Sequence, residues 1–222
     1  ESEIADYSYM FNNCISLESI DLSNFKSSKV INKMEYMFNN CYNLRIIDTT
    51  NFITSITIDM SYMFNNCSSV SVLNLNYFKG STLLNNMEYM FNKCNSLKTI
   101  DFANLNINFT INANKIFHGF NSLQNLILTN FKADSISDFS YMFNNFEHLQ
   151  TVDLVNFKGS SINNTLEGMF FNCKKLLSLN MPYLDFSYVY KITDIFNERE
   201  DFLRTMFGIS LRTQESLDYW EE

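Results

Sequence analysis

Residues 34–52, MEYMFNNCYNLRIIDTTNF, contain the pattern that decides the fold, and the rest of the chain repeats it. The pattern reads Met/Ile-Phe-x-x-Cys-x-x-Leu-x-x-Ile-Asp-Leu-x-x-Phe. Its copies centre on Phe11, Phe38, Phe64, Phe91, Phe117, Phe143, Phe170 and, more weakly, Phe196. Successive centres lie 27, 26, 27, 26, 26, 27 and 26 residues apart. A fixed period of this length is typical of a solenoid, in which each repeat forms one coil and packs on its neighbours.

The second half of each repeat predicts a β-strand. We number each repeat from its central phenylalanine, which is position 0. Positions +6, +9, +11 and +14 are apolar, as in Leu17, Ile20, Leu22 and Phe25. This is the L-x-x-L-x-L spacing of leucine-rich repeats. Because side chains alternate along a strand, the residues between them, such as Asp21, are expected on the opposite, solvent-exposed face.

The first half of each repeat predicts a short helix. Positions −4, −1 and 0 are apolar, as in Met34, Met37 and Phe38, and this spacing places them on one helix face. Six of the eight −5 positions hold Asp, Asn or Thr, which cap helix N-termini. Asparagine follows at +1 in six repeats. There it is expected to end the helix in the left-handed conformation or, alternatively, to form a ladder of side-chain amides.

These patterns together predict an α/β solenoid over residues 1–197. It is a right-handed, leucine-rich-repeat-like coil of about seven or eight repeats, each of 26–27 residues. A parallel β-sheet forms one face, and short helices form the other. Residues 198–222 are predicted to form a helical cap on the last coil or, alternatively, a docking tail anchored by Leu217, Tyr219 and Trp220. The chain opens almost at once inside a repeat, at residues 6–11, so another chain or a longer precursor is expected to cover its first coil.

The repeat resembles the BspA-like leucine-rich repeats, and in particular the 26-residue repeats of surface proteins of low-GC bacteria such as mycoplasma lipoproteins. The resemblance covers about residues 5–197. It implies a solenoid fold and a surface-exposed protein with a role in adhesion or host interaction. Where the family often continues Phe-Asp-Thr-Ser, this chain has FKSS at residues 25–28, FKGS at 78–81 and FKGS at 157–160. The resemblance therefore implies no shared ligand.

Composition and motifs argue against most catalytic and nucleic-acid-binding functions. The net charge is −8 and the 16 Lys and Arg residues do not cluster, whereas nucleic acids require a basic face. No apolar run is long enough for a transmembrane helix. No nucleophile elbow or phosphate-binding glycine loop is present. We therefore expect a non-enzymatic protein without catalytic residues or a cofactor.

The cysteines and histidines are also explained without a catalytic or metal-binding role. All five cysteines occupy position +3, and phenylalanine fills the same position as Phe120 and Phe146. A position that accepts Cys or Phe is apolar and interior, so buried free thiols are predicted. No Cys-x-x-Cys motif or histidine pair supports a metal site. His118 and His148 are interpreted as ordinary surface histidines.

Two rows of residues are candidate binding surfaces. The strand-face stripe at position +10 comprises Asp21, Asp48, Asn74, Asp101, Asp153 and Asn180, with Ile127 as an interruption. We favour the interpretation that these are solvated repeat residues; a functional stripe would suit a basic or hydroxyl-rich ligand, or a cation. The tyrosine stripe at position −2 comprises Tyr9, Tyr36, Tyr62, Tyr89 and Tyr141. Tyrosine is enriched at interfaces, but these rings could also pack on one another between coils.

The leading hypothesis is a surface-displayed or secreted module that binds a protein partner and mediates adhesion. The alternative is a structural subunit of a larger, intracellular assembly. In that case the tyrosine stripe, the uncapped first coil or the C-terminal tail would hold it in place.

Overall fold

The structure, a computed structural model, describes residues 4–22, 30–48, 56–73, 75, 84–97, 100–101, 111–120, 125–129, 133–134, 136–155, 157, 164–184, 189–192 and 194–196. At residues 30, 100–101, 111, 125–127, 129 and 190 it describes the backbone. The predicted C-terminal segment 198–222, with Leu217, Tyr219 and Trp220, lies outside the described residues.

The regular structure consists of short strands. They are β1 (Ile4–Asp6), β2 (Ser19–Ile20), β3 (Val30–Lys33), β4 (Ile46–Ile47), β5 (Ile100–Asp101), β6 (Ile111–Asn112), β7 (Asn125–Thr129), β8 (Ile136–Asp138), β9 (Thr151–Asp153), β10 (Asn164–Thr165), β11 (Ser178–Asn180) and β12 (Val189–Lys191).

These strands pair in two sets, and every pair is parallel. The predicted leucine-rich-repeat strands form the pair β2–β4 and the sheet β5–β7–β9–β11. A second set, which the sequence analysis did not predict, lies just before each central phenylalanine and comprises β1–β3 and β6–β8–β10–β12. Bridges from Lys33 to Asp59, Asp59 to Asn86 and Asn86 to Asn112 join its two parts. Successive repeats therefore stack in register along both sets.

The predicted helices are wrong, since no helix occurs in the described part of the chain. The segment around Phe38 instead forms consecutive turns closed by hydrogen bonds between residues three apart. Examples are Asn39 N to Tyr36 O (3.1 Å) and Cys41 N to Phe38 O (3.2 Å). Tyr36 has φ 56° and Asn40 has φ 60°. Two left-handed residues in each repeat break any run of helical backbone, as in type II turns.

Hydrogen bonds between coils explain why turns replace the helix. Tyr36 N, Phe38 N and Asn40 N donate to carbonyl oxygens of the next coil at 3.0, 2.9 and 2.8 Å. In a helix the same amide groups would bond within the segment and leave the next coil unpaired. The alternating outward amides make the turn side behave like a parallel strand, which satisfies the backbone along the whole stack.

The polar residues at −5 stabilise these turns rather than helix N-termini. Asp59 Oδ1 accepts a hydrogen bond from Ser61 N at 2.8 Å, and Asp138 Oδ1 accepts one from Ser140 N at 2.8 Å. This bond to the residue two positions later is an Asx-turn. The prediction that these residues cap helix N-termini is therefore wrong, because their side chains close turns instead.

The core is an aromatic stack that joins the eight central phenylalanines. Their rings lie 5.2–5.9 Å apart in successive coils, with interplanar angles between 2° and 14°. From the second coil onward the methionines at −4 and −1, such as Met60 and Met63, are fully buried beside the stack. The prediction that −4, −1 and 0 form one apolar face is thus confirmed, although no helix carries it.

The alternative interpretation of the +1 asparagines is confirmed. The Nδ2 groups of Asn39, Asn65 and Asn92 each donate to the Oδ1 of the +1 asparagine one coil earlier, at 2.8, 2.6 and 2.6 Å. The left-handed residue is the one at +2, such as Asn13 or Asn66, each with φ 60°. Because a buried amide costs free energy unless it is hydrogen-bonded, the ladder explains why asparagine occupies an interior position.

Candidate functional site

The strand face alternates as predicted. In β4, β9 and β11 the central apolar residues Ile47, Val152 and Leu179 are buried, and the residues immediately before them are exposed. The backbone of this face is used by pairing between neighbouring coils. The face is therefore a platform on which side chains alone differ from coil to coil.

The structure brings only some of the +10 stripe together. Asp153 and Asn180 are exposed partners in β9 and β11, and Asn180 Nδ2 donates to Asp153 Oδ1 at 3.0 Å. Asp21 is exposed and Asp48 is half-buried at the other end of the stack. Asn74 lies outside the described residues, and only the backbone of Asp101 is described.

A register change interrupts the stripe. Asp101 of β5 is paired with Thr129 of β7, two positions beyond the equivalent residue, whereas Ile127 is paired with Asp153 of β9. The predicted +10 row is therefore not a single line of equivalent neighbours. It is divided where the sequence has Ile127, the residue that already interrupted the acidic pattern.

Exposed apolar side chains accompany the polar ones. Ile46 and Val72, both at +8, are 66% and 69% exposed, and Leu177 at +7 is 73% exposed. The acidic residues at +10 dominate the sequence pattern of this face, and Leu177 was not predicted from it. The sequence did contain a signal for it, because Leu177 is an apolar residue on the side of the strand that is otherwise polar.

The tyrosine stripe is a stack. The rings of Tyr9, Tyr36, Tyr62 and Tyr89 lie 4.8, 4.5 and 4.7 Å apart and nearly parallel. Each of these tyrosines has a positive φ. Ring faces are thus largely used between coils, which is the packing alternative, and burial raises the pKa of the Tyr62 hydroxyl, with Glu88 nearby adding to the effect.

A lysine separates Tyr141 from the rest of the stripe. Lys115 Nζ lies 5.0 Å from the ring centre of Tyr89 and 5.3 Å from that of Tyr141, within the range of cation–π attraction. In the next coil the equivalent position is Gly168, where a Cβ atom would lie 2.4 Å from Tyr141 Cε1. The hydroxyl of Tyr141 donates to Glu167 Oε1 at 3.2 Å.

The thiols are buried hydrogen-bond donors. The Cys41, Cys67 and Cys94 thiols donate to the carbonyl oxygens of the central phenylalanines one coil earlier, at 3.1, 3.1 and 3.0 Å. Burial raises the pKa of Cys41 to about 11 and that of Cys94 to about 12. The prediction of buried free thiols is confirmed for four of the five cysteines, whereas Cys14 is partly exposed. A thiol with a raised pKa is a poor nucleophile.

The two histidines differ. His148 is exposed, as predicted. His118 is half-buried, because its ring replaces the +1 asparagine between Asn92 and Asn145. Its interpretation as an ordinary surface residue is therefore wrong. Among the described residues, no group of three or more His, Cys, Asp or Glu side chains is arranged to hold a metal ion. Nor does the described part of the chain contain a helix of the length and hydropathy needed to cross a membrane.

Comparison with known families identifies the repeat. The family described as "Mycoplasma protein of unknown function, DUF285" matches residues 1–99 and again residues 85–208. The chain therefore belongs to this family, and its recognition as a BspA-like leucine-rich-repeat protein of the mycoplasma type is confirmed. No curated protein matches the chain significantly in sequence.

Three solved structures resemble the chain. The leucine-rich repeat protein TpLRR of T. pallidum is 17% identical over 78% of this chain and 71% of its own, with a TM-score of 0.47. A leucine-rich repeat protein of Bacteroides ovatus is 16% identical over 84% of this chain and 65% of its own, with a TM-score of 0.24. The plant peptide hormone receptor RGFR1, solved in complex with RGF2, is 18% identical over 85% of this chain and 33% of its own, with a TM-score of 0.36.

The parallel strands of this chain, which pair between neighbouring coils in two sets, agree with the predicted leucine-rich-repeat-like solenoid. The right-handed sense of its coil, the number of repeats and the boundary at residue 197 stay predictions.

Proposed function

We propose that this member of the DUF285 family is a non-enzymatic protein-interaction module, displayed at the cell surface and used in adhesion. The observation that carries the proposal is the mixed strand face. Ile46 of the paired strand β4 and Val72, at the same position one coil later, expose apolar side chains, and the half-buried Asp48 lies two residues after Ile46. Apolar side chains surrounded by polar ones are characteristic of protein interfaces.

The repeated contacts on the turn side support this proposal, because they hold successive coils together. Phenylalanine rings, asparagine amides and thiols repeat there with the same partners from coil to coil. Because the turn side holds successive coils together, the side chains of the strand face can differ from coil to coil. Solenoids usually recognise partners through such variable side chains on a rigid surface. The family resemblance, which implies surface-exposed proteins, points in the same direction.

The test is a bead-adhesion assay. Beads coated with the purified chain are incubated with cultured epithelial cells, and attached beads are counted. The double variant Ile46→Lys with Asp48→Lys should abolish attachment while circular dichroism and Tm stay unchanged, because both changed side chains reach solvent.

The matched control is Glu147→Lys with His148→Lys. It adds the same charge on the turn side, where neither side chain is buried, and it should attach like the wild type. If the strand-face variant attaches normally, or if both variants lose attachment equally, the strand face is not the binding surface.

The alternative proposal is a structural subunit that is held in a larger assembly through its first coil and tyrosine stripe. Met10 is 48% exposed, although the equivalent Met37 and Met63 are fully buried, and Tyr9 is 51% exposed at the end of the tyrosine stack. A neighbouring protein could cover this end. The variant Tyr9→Ser with Met10→Ser should stay folded but leave the complexes in which the native protein migrates on size exclusion of cell extracts. Unchanged migration would count against the assembly.

A further inference from the structure

Asparagine amides run along the turn side in ladders with one direction. The +1 ladder contains Asn39 and Asn65, and the +2 ladder contains Asn40, Asn145 and Asn172. In each asparagine pair described above and in the pairs Asn40–Asn13 and Asn172–Asn145, Nδ2 of the later coil donates to Oδ1 of the earlier coil. Each amide donates in one direction and accepts from the other, so the direction of one bond fixes that of its neighbours.

His118 joins the two ladders in the fifth coil. Its Nδ1 lies 2.8 Å from Asn92 Oδ1, which can only accept, and its Nε2 lies 3.2 Å from Asn145 Nδ2, which can only donate. A neutral ring with its proton on Nδ1 therefore continues the direction of both ladders. The +2 position of this coil is Gly119, where a Cβ atom would lie 3.2 Å from Lys93 Cγ, so no amide stands there.

We propose that His118 is an acid-sensitive junction that couples the fourth, fifth and sixth coils only while its ring is neutral. Protonation adds a hydrogen to Nε2, which then faces the NH₂ group of Asn145, so two donors oppose each other. Asn145 can accept from the ring only if its amide turns over. That would present its Nδ2 to Asn172 Nδ2, which now donates to Asn145 Oδ1 at 2.7 Å. Protonation of His118 therefore either breaks its hydrogen bond with Asn145 or reverses the direction of the hydrogen bonds that follow in the +2 ladder.

The charges around the ring act in the same direction. Lys93 of the preceding coil and Lys115 of the same coil face His118, while the following coil contributes the uncharged amides of Asn144 and Asn145. Burial, followed by Lys115 and Lys93, lowers the pKa of His118 from its ordinary value of 6.5, and a hydrogen bond with Asn144 opposes this effect without reversing it. The stability that the neutral ring contributes is therefore complete above pH 6.5 and is lost as the pH falls through the lower folded-state pKa.

The test compares Tm between pH 8 and pH 4.5 for the wild type, His118→Asn and His148→Asn. Asparagine is the ordinary +1 residue and does not titrate, so His118→Asn should lose less Tm on acidification than the wild type, by about 2–4 °C. His148→Asn, which changes an exposed ring, should keep the full acid sensitivity. Equal pH profiles for the wild type and His118→Asn would overturn the proposal.

A second measurement uses the wild type alone. In ¹⁵N-labelled protein, imidazole NMR should show one histidine as the Nδ1–H tautomer, and its protonation should shift the side-chain NH₂ resonances of Asn145 and Asn172 together. Protonation that leaves both amide resonances in place would contradict the junction, because an uncoupled ring does not change the direction of the ladder.

Discussion

The two sides of each coil obey different rules. On the turn side the same contact recurs in successive coils, as when Phe64 stacks on Phe38 and on Phe91 at 5.6 and 5.9 Å. On the strand face the equivalent +8 position holds Ser19, Ile46, Val72, Thr151 and Ser178 in different coils, all of them exposed. The turn side binds the next coil through its backbone and through repeated side-chain contacts, whereas the strand face does so mainly through its backbone.

This difference indicates that turn-side residues stabilise the stack and that strand-face residues are available for recognition. Rings and amides that bond along the stack cannot change without disturbing the coils on both sides. Side chains on the strand face project from a backbone that is already satisfied, so they can change independently. Substitutions should therefore cost much on the turn side and little on the strand face.

The largest expected effect is the removal of one ring from the phenylalanine stack. Phe91→Ala deletes a fully buried ring between Phe64 and Phe117 and should lower the free energy of unfolding by about 3–5 kcal/mol. Urea unfolding followed by circular dichroism measures the loss. Phe11→Ala, at a half-buried ring in the first coil, is the control and should cost clearly less. Equal losses would mean that the stack does not act between coils.

The next effect is the interruption of the amide ladder. Asn65→Ala removes the bonds to Asn39 and Asn92, each 2.6 Å long, and leaves two buried polar groups without their partner. It should lower the free energy of unfolding by about 2 kcal/mol. Asn12→Ala, which removes the single bond at the half-buried end of the +1 ladder, should lose clearly less in the same urea titration. A smaller loss for Asn65→Ala than for Asn12→Ala would refute the ladder's role.

An effect of similar size is expected where the tyrosine stripe meets glycine. Gly168→Ala places a methyl group against the ring of Tyr141 at a residue with φ 55°, which should cost about 2 kcal/mol. In a Tyr141→Ala background the clash is absent, and about 1 kcal/mol should remain from the left-handed backbone alone. A double-mutant cycle in thermal unfolding measures the difference. No coupling between the two positions would show that the ring does not fill that space.

The smallest effect should come from the strand face. Ile46→Thr with Val72→Thr replaces two exposed side chains and should change the free energy of unfolding by less than about 0.5 kcal/mol per site. The same urea titration compares the variant with Asn65→Ala. A loss as large as that of Asn65→Ala would erase the proposed distinction between the two sides.

The sequence predicted the period, the strand alternation and the apolar positions because each is a direct repeat of residue type. It did not predict the turns, because apolar residues at −4, −1 and 0 fit a helix and a pair of tight turns equally well. The turns require a left-handed residue at −2. Tyrosine rarely adopts positive φ, so tyrosine at this position did not indicate a turn. The signal was present in two glycines, Gly168 at −2 and Gly119 at +2, which replace other residues at the two left-handed positions.

The binding surface was less predictable for a different reason. A repeat pattern identifies what is common to the coils, whereas recognition depends on what differs between them. The change of register that pairs Asp101 with Thr129 also depends on how the strands of two neighbouring coils align, which the sequence of one repeat does not determine. The apolar residues Ile46, Val72 and Leu177 stood out only once their exposure was known.

We propose that this solenoid displays its strand face to partners outside the cell. Protease treatment of intact source cells, with the protein followed by antibody, is the decisive measurement. We expect the antibody signal to disappear from intact cells while a cytoplasmic marker survives. A signal that persists until the cells are lysed would contradict surface display and favour the structural subunit.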